Sequence, residues 1–287
     1  MDDAVFLGFD MSVRFEFLPP SPALAHLIRQ HQIIRLSFAA SDCVPLKPYW
    51  PRPSSSLAFY SRDPEWIRPL GASQSRRKPR AVLIGQPTRT TLREGGRDFS
   101  VYQVEFQPGA LYALTGLALS ELTDGDIDAE AVFPPDFACL IREVEDTEDS
   151  GHRIRACETW LQRHYQRRQR PTAAAEAIAD RLLQQPSMEI DRLARRHDIG
   201  VRQLRRAFQE RIGVSPKLFA RIARFDTLVR LSNRHPTHDW LSLAIEAGYY
   251  DYHHLRRDFR EFCDMAPNDF RTVEAASPER QFGFRED

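Results

Sequence analysis

Two hydrophobic patterns divide the chain of 287 residues into a strand-rich part and a helical part. Up to residue 108, short apolar, β-branched or aromatic runs are separated by Pro, Gly, Ser and charged residues. Several short strands at this spacing predict a β-sandwich or barrel. From residue 152 onwards, apolar residues recur with the period of an α-helix. The runs that predict strands are 13–18, 33–39, 56–61, 80–85 and 99–106.

The boundaries of the predicted domains lie where these patterns change. The segment 109–119 predicts a short helix after the strands, and the acidic, polar run 143–151 is the best linker candidate. The predicted fold class is α+β and multidomain, with a β-rich barrel or sandwich before an all-α domain. The predicted divisions are a β-rich regulatory domain over 1–142, an acidic linker and connecting helix over 143–170, a helical domain over 171–275, and a flexible tail over 276–287.

The net charge of zero hides an asymmetry between the two parts. Residues 1–151 carry six more acidic than basic residues, whereas residues 152–272 carry eight more basic than acidic ones. The remaining 15 residues have an excess of two acidic residues. A basic part joined to an acidic part suggests that only one of them meets a polyanion such as nucleic acid. The alternative interpretation is that the excess basic residues simply lie on the solvent-exposed faces of helices.

An internal repeat in the helical part is the most informative feature of the sequence. The first copy covers 193–219 and the second 243–270, and both contain Leu-Arg-Arg-x-Phe, at 204–208 and 255–259. The offset between matching residues is 50 before the central turn and 51 after it, so the second turn is one residue longer. A short glycine-containing turn between two packed helices is typical of a helix-turn-helix unit. Two generic helical hairpins are the alternative.

Local signals place the turns and the helix that joins the two copies. Gly200 and Gly248 lie in the turns, and Asp251 is a good N-cap for the helix that follows it. Ser215 and Pro216 begin the joining helix, whose pattern continues to residue 234. About 17 residues of helix span ~25 Å, enough to place two recognition helices about one DNA turn apart.

Helix geometry identifies which side chains of each second helix point outward. Successive residues are rotated by about 100°, so the side opposite Leu204 and Leu255 faces away from the core. Arginine can contact guanine and glutamine adenine, while residues at the flanks of such a helix meet phosphates. The predicted DNA-binding residues are Arg202, Arg205, Arg206 and Gln209 in the first copy, and Tyr252, His253, Arg256, Arg257 and Arg260 in the second. Arg205 and Arg256 are the flanking members of this set.

The same residues resemble the AraC/XylS-type transcription regulators over 189–271. The resemblance is carried by GVSPKLF (213–219), ARIARF (220–225) and AGYYDYHHLRRDFREFCDMAPNDF (247–270). It implies two helix-turn-helix units joined by a helix, with base contacts from Arg202, Arg205, Arg206, Tyr252, His253 and Arg257. Gly200 and Ala266 stand where the family usually has a serine, so two helices are expected to be less well capped.

The N-terminal part resembles a regulatory domain that precedes such DNA-binding regions in one subgroup of these regulators. The segments 80–96, 104–116 and 121–133 carry this similarity. The resemblance implies a cupin-like module for effector binding or dimerisation.

Other chemistry finds little support in the sequence. His253 and His254 point about 100° apart on a helix and rarely chelate one ion, so no metal and no cofactor are predicted. No GxSxG, P-loop or GxGxxG motif occurs, so no catalytic residue is assigned and the protein is not expected to be an enzyme. Cys43 is expected to pack, with a reactive thiol as the alternative. Tyr49 and Trp50 either pack or stack on a ligand.

These features predict a sequence-specific DNA-binding transcription regulator. Its candidate partners are double-stranded DNA, a small-molecule effector, RNA polymerase and a second copy of the chain. No membrane partner and a cytoplasmic location are expected, because no apolar run reaches ~18 residues and the N-terminus is acidic where a signal peptide would be basic. The alternative is a small-molecule-binding or enzymatic N-terminal domain whose helical part is used for protein contacts.

Overall fold

A β-rich N-terminal unit precedes an all-helical unit in the computed structural model, which describes residues 12–168 and 173–276. Pro171 and all but Ala276 of the predicted flexible tail lie outside the described residues. Among the described helices, none is long and apolar enough to cross a membrane.

The N-terminal unit contains two antiparallel sheets. Their strands are β1 (Ser12–Leu18), β2 (Ile28–Ser37), β3 (Lys47–Tyr49), β4 (Ser56–Tyr60), β5 (Trp66–Pro69), β6 (Arg76–Arg77), β7 (Ala81–Ile84), β8 (Thr91–Glu94), β9 (Asp98–Phe106) and β10 (Asp126–Asp128). The larger sheet has the order β1-β2-β9-β4-β7-β10, and the smaller one has the order β3-β8-β5-β6. All five predicted strands belong to the larger sheet, whose central strands β4 and β9 are the most deeply buried.

Three helices cover one face of the larger sheet: α1 (Ala110–Thr115), α2 (Phe137–Glu145) and α3 (Ser150–Arg168). Their apolar residues, including Val144, Trp160 and Leu161, share one core with Phe59 and Tyr102 of the sheet. Residues 143–168, predicted to link two domains, are therefore part of the N-terminal unit. The acidic residues of this segment lie mainly on its outer side, which is why it has the composition of a linker.

The C-terminal unit consists of seven helices within its described residues. They are α4 (Ala174–Gln184), α5 (Ile190–Arg196), α6 (Val201–Arg211), α7 (Pro216–Arg234), α8 (Trp240–Glu246), α9 (Tyr252–Cys263) and α10 (Pro267–Ala275). The pairs α5–α6 and α8–α9 form the two predicted helix-turn-helix units. The joining helix α7 contributes Phe219 to the core of the first unit and Phe225 to the core of the second.

The two turns have a left-handed residue at matching positions, but they differ in the identity of that residue and in length. In the second turn Gly248 has a φ of 85°, a left-handed conformation that glycine adopts without strain. The matching position of the first turn is Asp198, with a φ of 49°. Gly200 instead has a φ of −66° and serves as the N-cap of α6, matching the role of Asp251 in α9. The extra residue of the second turn thus lies between its left-handed position and its N-cap.

Candidate nucleic-acid interface

Buried side chains fix the orientation of α6 and α9. Leu204 and Phe208 anchor α6 in the first core, while Leu255 and Phe259 anchor α9 in the second. All four side chains are fully buried, so the opposite side of each helix faces outward. This is the orientation that the periodicity of Leu-Arg-Arg-x-Phe predicts.

The start of each recognition helix also follows from its sequence. The Asp251 carboxylate accepts a hydrogen bond from the His254 backbone N–H at 2.8 Å, which caps α9. Gly200 supplies no side-chain cap to α6, and Ala266 supplies none to α10.

A buried ion pair ties α9 to α7. The Arg221 guanidinium lies 2.7 Å from Asp258 Oδ1 and also contacts the Glu261 carboxylate. Burial would lower the pKa of Arg221, but its bonds to the two carboxylates outweigh burial and raise it. Because Asp258 is only 1% exposed, this pair holds the helix from its inner side and leaves the outer side free.

All nine predicted DNA-binding side chains are exposed on the outer sides of the two recognition helices. Within the described residues, five of the arginines form no salt bridge, and Arg260 lies 3.7 Å from Asp264. The five are Arg202, Arg205, Arg206, Arg256 and Arg257. Their charges are therefore available to an external polyanion.

The arginines of α7 are different. Arg221 and Arg230 are paired with carboxylates, and the Arg224 guanidinium stacks 4.5 Å from the Tyr249 ring centroid. Such pairing neutralises the charge inside the unit and stabilises packing. The contrast separates structural arginines from those that face an external partner.

A groove of about 270 Å³ runs beside α9. His253, Arg256, Arg257 and Arg260 line one side of it, and the start of α10 at Pro267 lines the other. Basic side chains next to a helix N-terminus suit a phosphate group. The groove thus extends the outward face of α9 with a basic surface that suits a phosphate group.

The structure exposes further side chains that the sequence did not single out. Arg195 and Arg196 are exposed in the last turn of α5, the helix that in such units crosses the DNA backbone. Tyr250 is 90% exposed in the second turn, an unusual position for a large aromatic side chain. His254 is exposed at the start of α9, and its Nδ1 lies 3.3 Å from Asp251 Oδ1. Charge and exposure, rather than the repeat itself, identify these residues.

The residues considered for other chemistry lie apart from this surface. The expectation that Cys43 packs is wrong, because it is exposed in the loop before β3. The Trp50 ring packs 4.6 Å from Phe270 and its Nε1 donates to Glu274 at 2.7 Å, so this residue joins the two units. Within residues 12–168 and 173–276, no group of His, Cys, Asp and Glu could hold a metal ion.

A buried charged cluster between the two sheets was not predicted. Lys78 Nζ lies 2.5 Å from Glu65 Oε2, which also accepts a hydrogen bond from Tyr60 at 2.8 Å. Burial and the nearby Arg93 lower the pKa of Lys78 to about 8. Burial alone would raise the pKa of Glu65. The positive charges of Lys78 and Arg93 outweigh this effect, so the pKa of Glu65 is lowered. The cluster borders a small apolar cavity of about 50 Å³.

The two units meet at the C-terminal ends of both recognition helices. The Thr90 hydroxyl donates to the Phe262 carbonyl of α9 at 2.8 Å. The Thr123 hydroxyl donates at 2.7 Å to the carbonyl of Gly213, just after α6. The N-terminal unit therefore touches both recognition helices with the same kind of contact. Residues of both units also line an open cavity of about 600 Å³.

Comparisons with known proteins agree with this architecture. Residues 193–272 match a family described as a helix-turn-helix domain, and residues 16–128 match a domain of unknown function, DUF6597. No curated protein matches the chain.

Solved structures of two proteins are similar to the chain. ToxT from Vibrio cholerae is similar over 85% of this chain and 98% of its own, with 10% identity and a TM-score of 0.48. ToxT of Vibrio cholerae strain SCE256 bound to unsaturated fatty acid covers 98% of this chain and 100% of its own, with 9% identity and a TM-score of 0.46. The AraC-like transcriptional activator CuxR covers 78% and 83%, with 14% identity and a TM-score of 0.33.

The C-terminal unit is a double helix-turn-helix DNA-binding domain. It is of the AraC type, and it follows an N-terminal DUF6597 domain. The predicted resemblance of the helical part is thereby confirmed, as is the predicted order of a β-rich unit before a helical one. The cupin-like character of the N-terminal unit stays a prediction.

Proposed function

We propose that this protein is a transcription regulator that binds one DNA site with both recognition helices and is controlled through its N-terminal unit. The observation that carries the proposal is the pair of outward basic faces on α6 and α9. Five of the six arginines on these faces have no salt-bridge partner among the described residues. The 19-residue helix α7 joins the two helix-turn-helix units, because it packs into the apolar core of each. At ~1.5 Å per residue it spans ~28 Å, which suits two contacts about one DNA turn apart.

The proposed roles of the side chains follow their positions. Arg202, Arg206 and Gln209 on α6 and Tyr252, His253 and Arg257 on α9 would meet base edges. Arg205, Arg256 and Arg260 would meet phosphates, and Arg260 does so beside the groove that it lines.

Binding of the full-length protein to the DNA upstream of its own gene and the neighbouring genes tests this proposal. Arg206→Ala and Arg257→Ala should each weaken binding to the preferred site by about 1–3 kcal/mol and relax its specificity. The matched control is Arg163→Ala, which removes an exposed arginine of α3 in the other unit. Affinity should also fall steeply as salt rises. Specific binding that survives both recognition-helix changes would refute the residue assignment.

Control through the N-terminal unit is supported by the contacts of Thr90 and Thr123 with the two recognition helices. A small molecule or a second copy of the chain that moves this unit would change the placement of both helices. RNA polymerase is a further proposed partner, because a transcription regulator acts on the polymerase that transcribes the controlled gene. We propose that the protein has no catalytic role and that it meets DNA in the cytoplasm.

A further inference from the structure

The cavity between the two units is lined by separate segments of the chain from both units. Residues 25–29 and residues 107–110, which follow β9 and begin α1, form one wall, and Tyr165 of α3 adds an aromatic surface. Helices α4 and α7 of the DNA-binding unit form the opposite walls. Its volume of about 600 Å³ lies within the range of about 300–1,000 Å³ that is usual for small-molecule sites.

Most charged side chains of this cavity already have a partner of opposite charge. The pairs are Arg230 Nε with Asp226 Oδ2 at 3.0 Å, Arg211 Nη1 with Glu176 Oε1 at 2.6 Å, and Arg29 Nε with Glu105 Oε2 at 3.8 Å. An anionic ligand that used Arg29 or Arg230 would have to compete with the carboxylate already there.

Asp180 on α4 is the exception. Within the described residues its carboxylate forms no hydrogen bond and no ion pair, although it lines the cavity and is accessible from it. Burial and the nearby Glu176 raise the pKa of Asp180 to about 6. The carboxylate is exposed to solvent, mostly ionised at neutral pH, and has no counter-charge that a cationic ligand would have to displace.

The same cavity offers an aromatic surface. The rings of His26 and Tyr165 pack edge to face with their centroids 5.4 Å apart, and both residues line the cavity. Aromatic faces attract organic cations and pack against the apolar part of such a ligand.

We propose that the interdomain cavity binds a small organic cation, an amine or guanidine with an apolar body, whose charge is neutralised by Asp180. The apolar body lies against the aromatic wall, and the walls from α4 and α7 bring the ligand into contact with the DNA-binding unit. An effect of this ligand on DNA affinity rests on the proposed function, whereas its binding does not. The test therefore uses the full-length protein without DNA.

Three probes of nearly equal shape separate charge from size: 2-phenylethylammonium, neutral 2-phenylethanol and anionic 3-phenylpropanoate. Calorimetric titration at pH 7.5 should show the ammonium probe binding about tenfold or more tightly than the alcohol, as expected for one added ion pair. The carboxylate probe should bind most weakly. Equal affinities, a preference for the carboxylate, or no binding of the ammonium probe at millimolar concentration would overturn the proposal.

Substitutions then locate the site. Asp180→Asn should reduce the affinity for the ammonium probe to that for the alcohol, and Asp180→Glu should retain most of the preference. Asp269→Asn is the same change at an exposed position on α10, and it should leave the affinity for the ammonium probe unaltered. Circular dichroism and thermal unfolding confirm that each variant folds. Tight binding of the ammonium probe to a folded Asp180→Asn variant would show that the cation lies elsewhere.

Discussion

Asp180 is a carboxylate whose surroundings disfavour its charge. In the unfolded chain its pKa is near 3.8, whereas in the folded protein burial and Glu176 raise it to about 6. Between these values the folded protein retains a proton that the unfolded chain has lost. The contribution of Asp180 to the free energy of unfolding therefore becomes less favourable as the pH rises through this window. Its full destabilising effect is present above about pH 6.

Asp180→Asn should for this reason stabilise the protein at pH 7.5. Because the side chain is accessible from the cavity, the expected gain in the free energy of unfolding is about 1 kcal/mol or less. The gain should shrink at pH 5, where the folded-state carboxyl is mostly protonated. Urea unfolding at the two pH values measures it, and a gain that grows on acidification would contradict this assignment.

The other charged and titratable groups around the cavity must be considered in this experiment. All of them are present in both the parent and the variant, so the difference between the two proteins reports Asp180 together with its coupling to Glu176. These groups are Glu176 on α4, Tyr165 on α3, Asp226 and Arg230 on α7, and His26 and Arg29 at the start of the larger sheet.

Missing caps give a second prediction at the residue scale. At Gly200 a β-carbon would meet no atom within 4 Å, and the backbone already has N-cap geometry. Gly200→Ser should stabilise the protein by about 0.5–1 kcal/mol, because it adds a cap and restricts the unfolded chain.

The control is Ser215→Ala, which removes the hydrogen bond that the Leu218 N–H donates to the Ser215 hydroxyl at 3.3 Å. It should cost about 1 kcal/mol. Thermal unfolding of the Gly200→Ser and Ser215→Ala variants measures both effects. Melting temperatures that shift equally and in the same direction would exclude capping as the cause.

At the scale of elements, α9 is held by charge as well as by apolar packing. Asp258→Ala should cost about 3 kcal/mol, because it leaves Arg221 partly buried with only the exposed Glu261 as partner. Glu261→Gln should cost less than about 1 kcal/mol, since that carboxylate is solvent exposed. Denaturant titration measures the free energy of unfolding of both variants. Similar losses would show that the buried ion pair stabilises the protein no more than the exposed one.

The repeat made the helical elements predictable, whereas half of the strands were not. Leu204 and Leu255 define the inward side of each recognition helix, so the outward side followed from the helical period alone. The strands of the smaller sheet contain two to four residues each, too few to show alternation. Val144 lies among acidic residues, and this composition concealed a helix that packs in the core.

Features that combine distant segments could not be predicted. Asp180 and His26 are far apart in sequence, and nothing local marks either as the wall of a cavity. The Thr90 contact with the Phe262 carbonyl likewise depends on how two folded units meet.

At the scale of the whole molecule, the two threonine contacts connect the N-terminal unit to both recognition helices. The double variant Thr90→Val and Thr123→Val should weaken specific DNA binding by about fivefold or more, because each lost hydrogen bond contributes about 0.5–1.5 kcal/mol to the fixed geometry. Non-specific binding, which depends on charge, should be unchanged. Tighter specific binding would instead show that these contacts hold an inactive arrangement.

The joining helix α7 has a consequence for the DNA site itself. A symmetric dimer presents two identical surfaces and therefore selects a palindrome. Here the two recognition helices follow one another in a single chain, and their outward residues differ: arginine and glutamine on α6, tyrosine, histidine and arginine on α9. A site bound by both has two unlike halves in a fixed order. Such a site has a direction, so inverting it would turn the whole protein around relative to the gene that it controls.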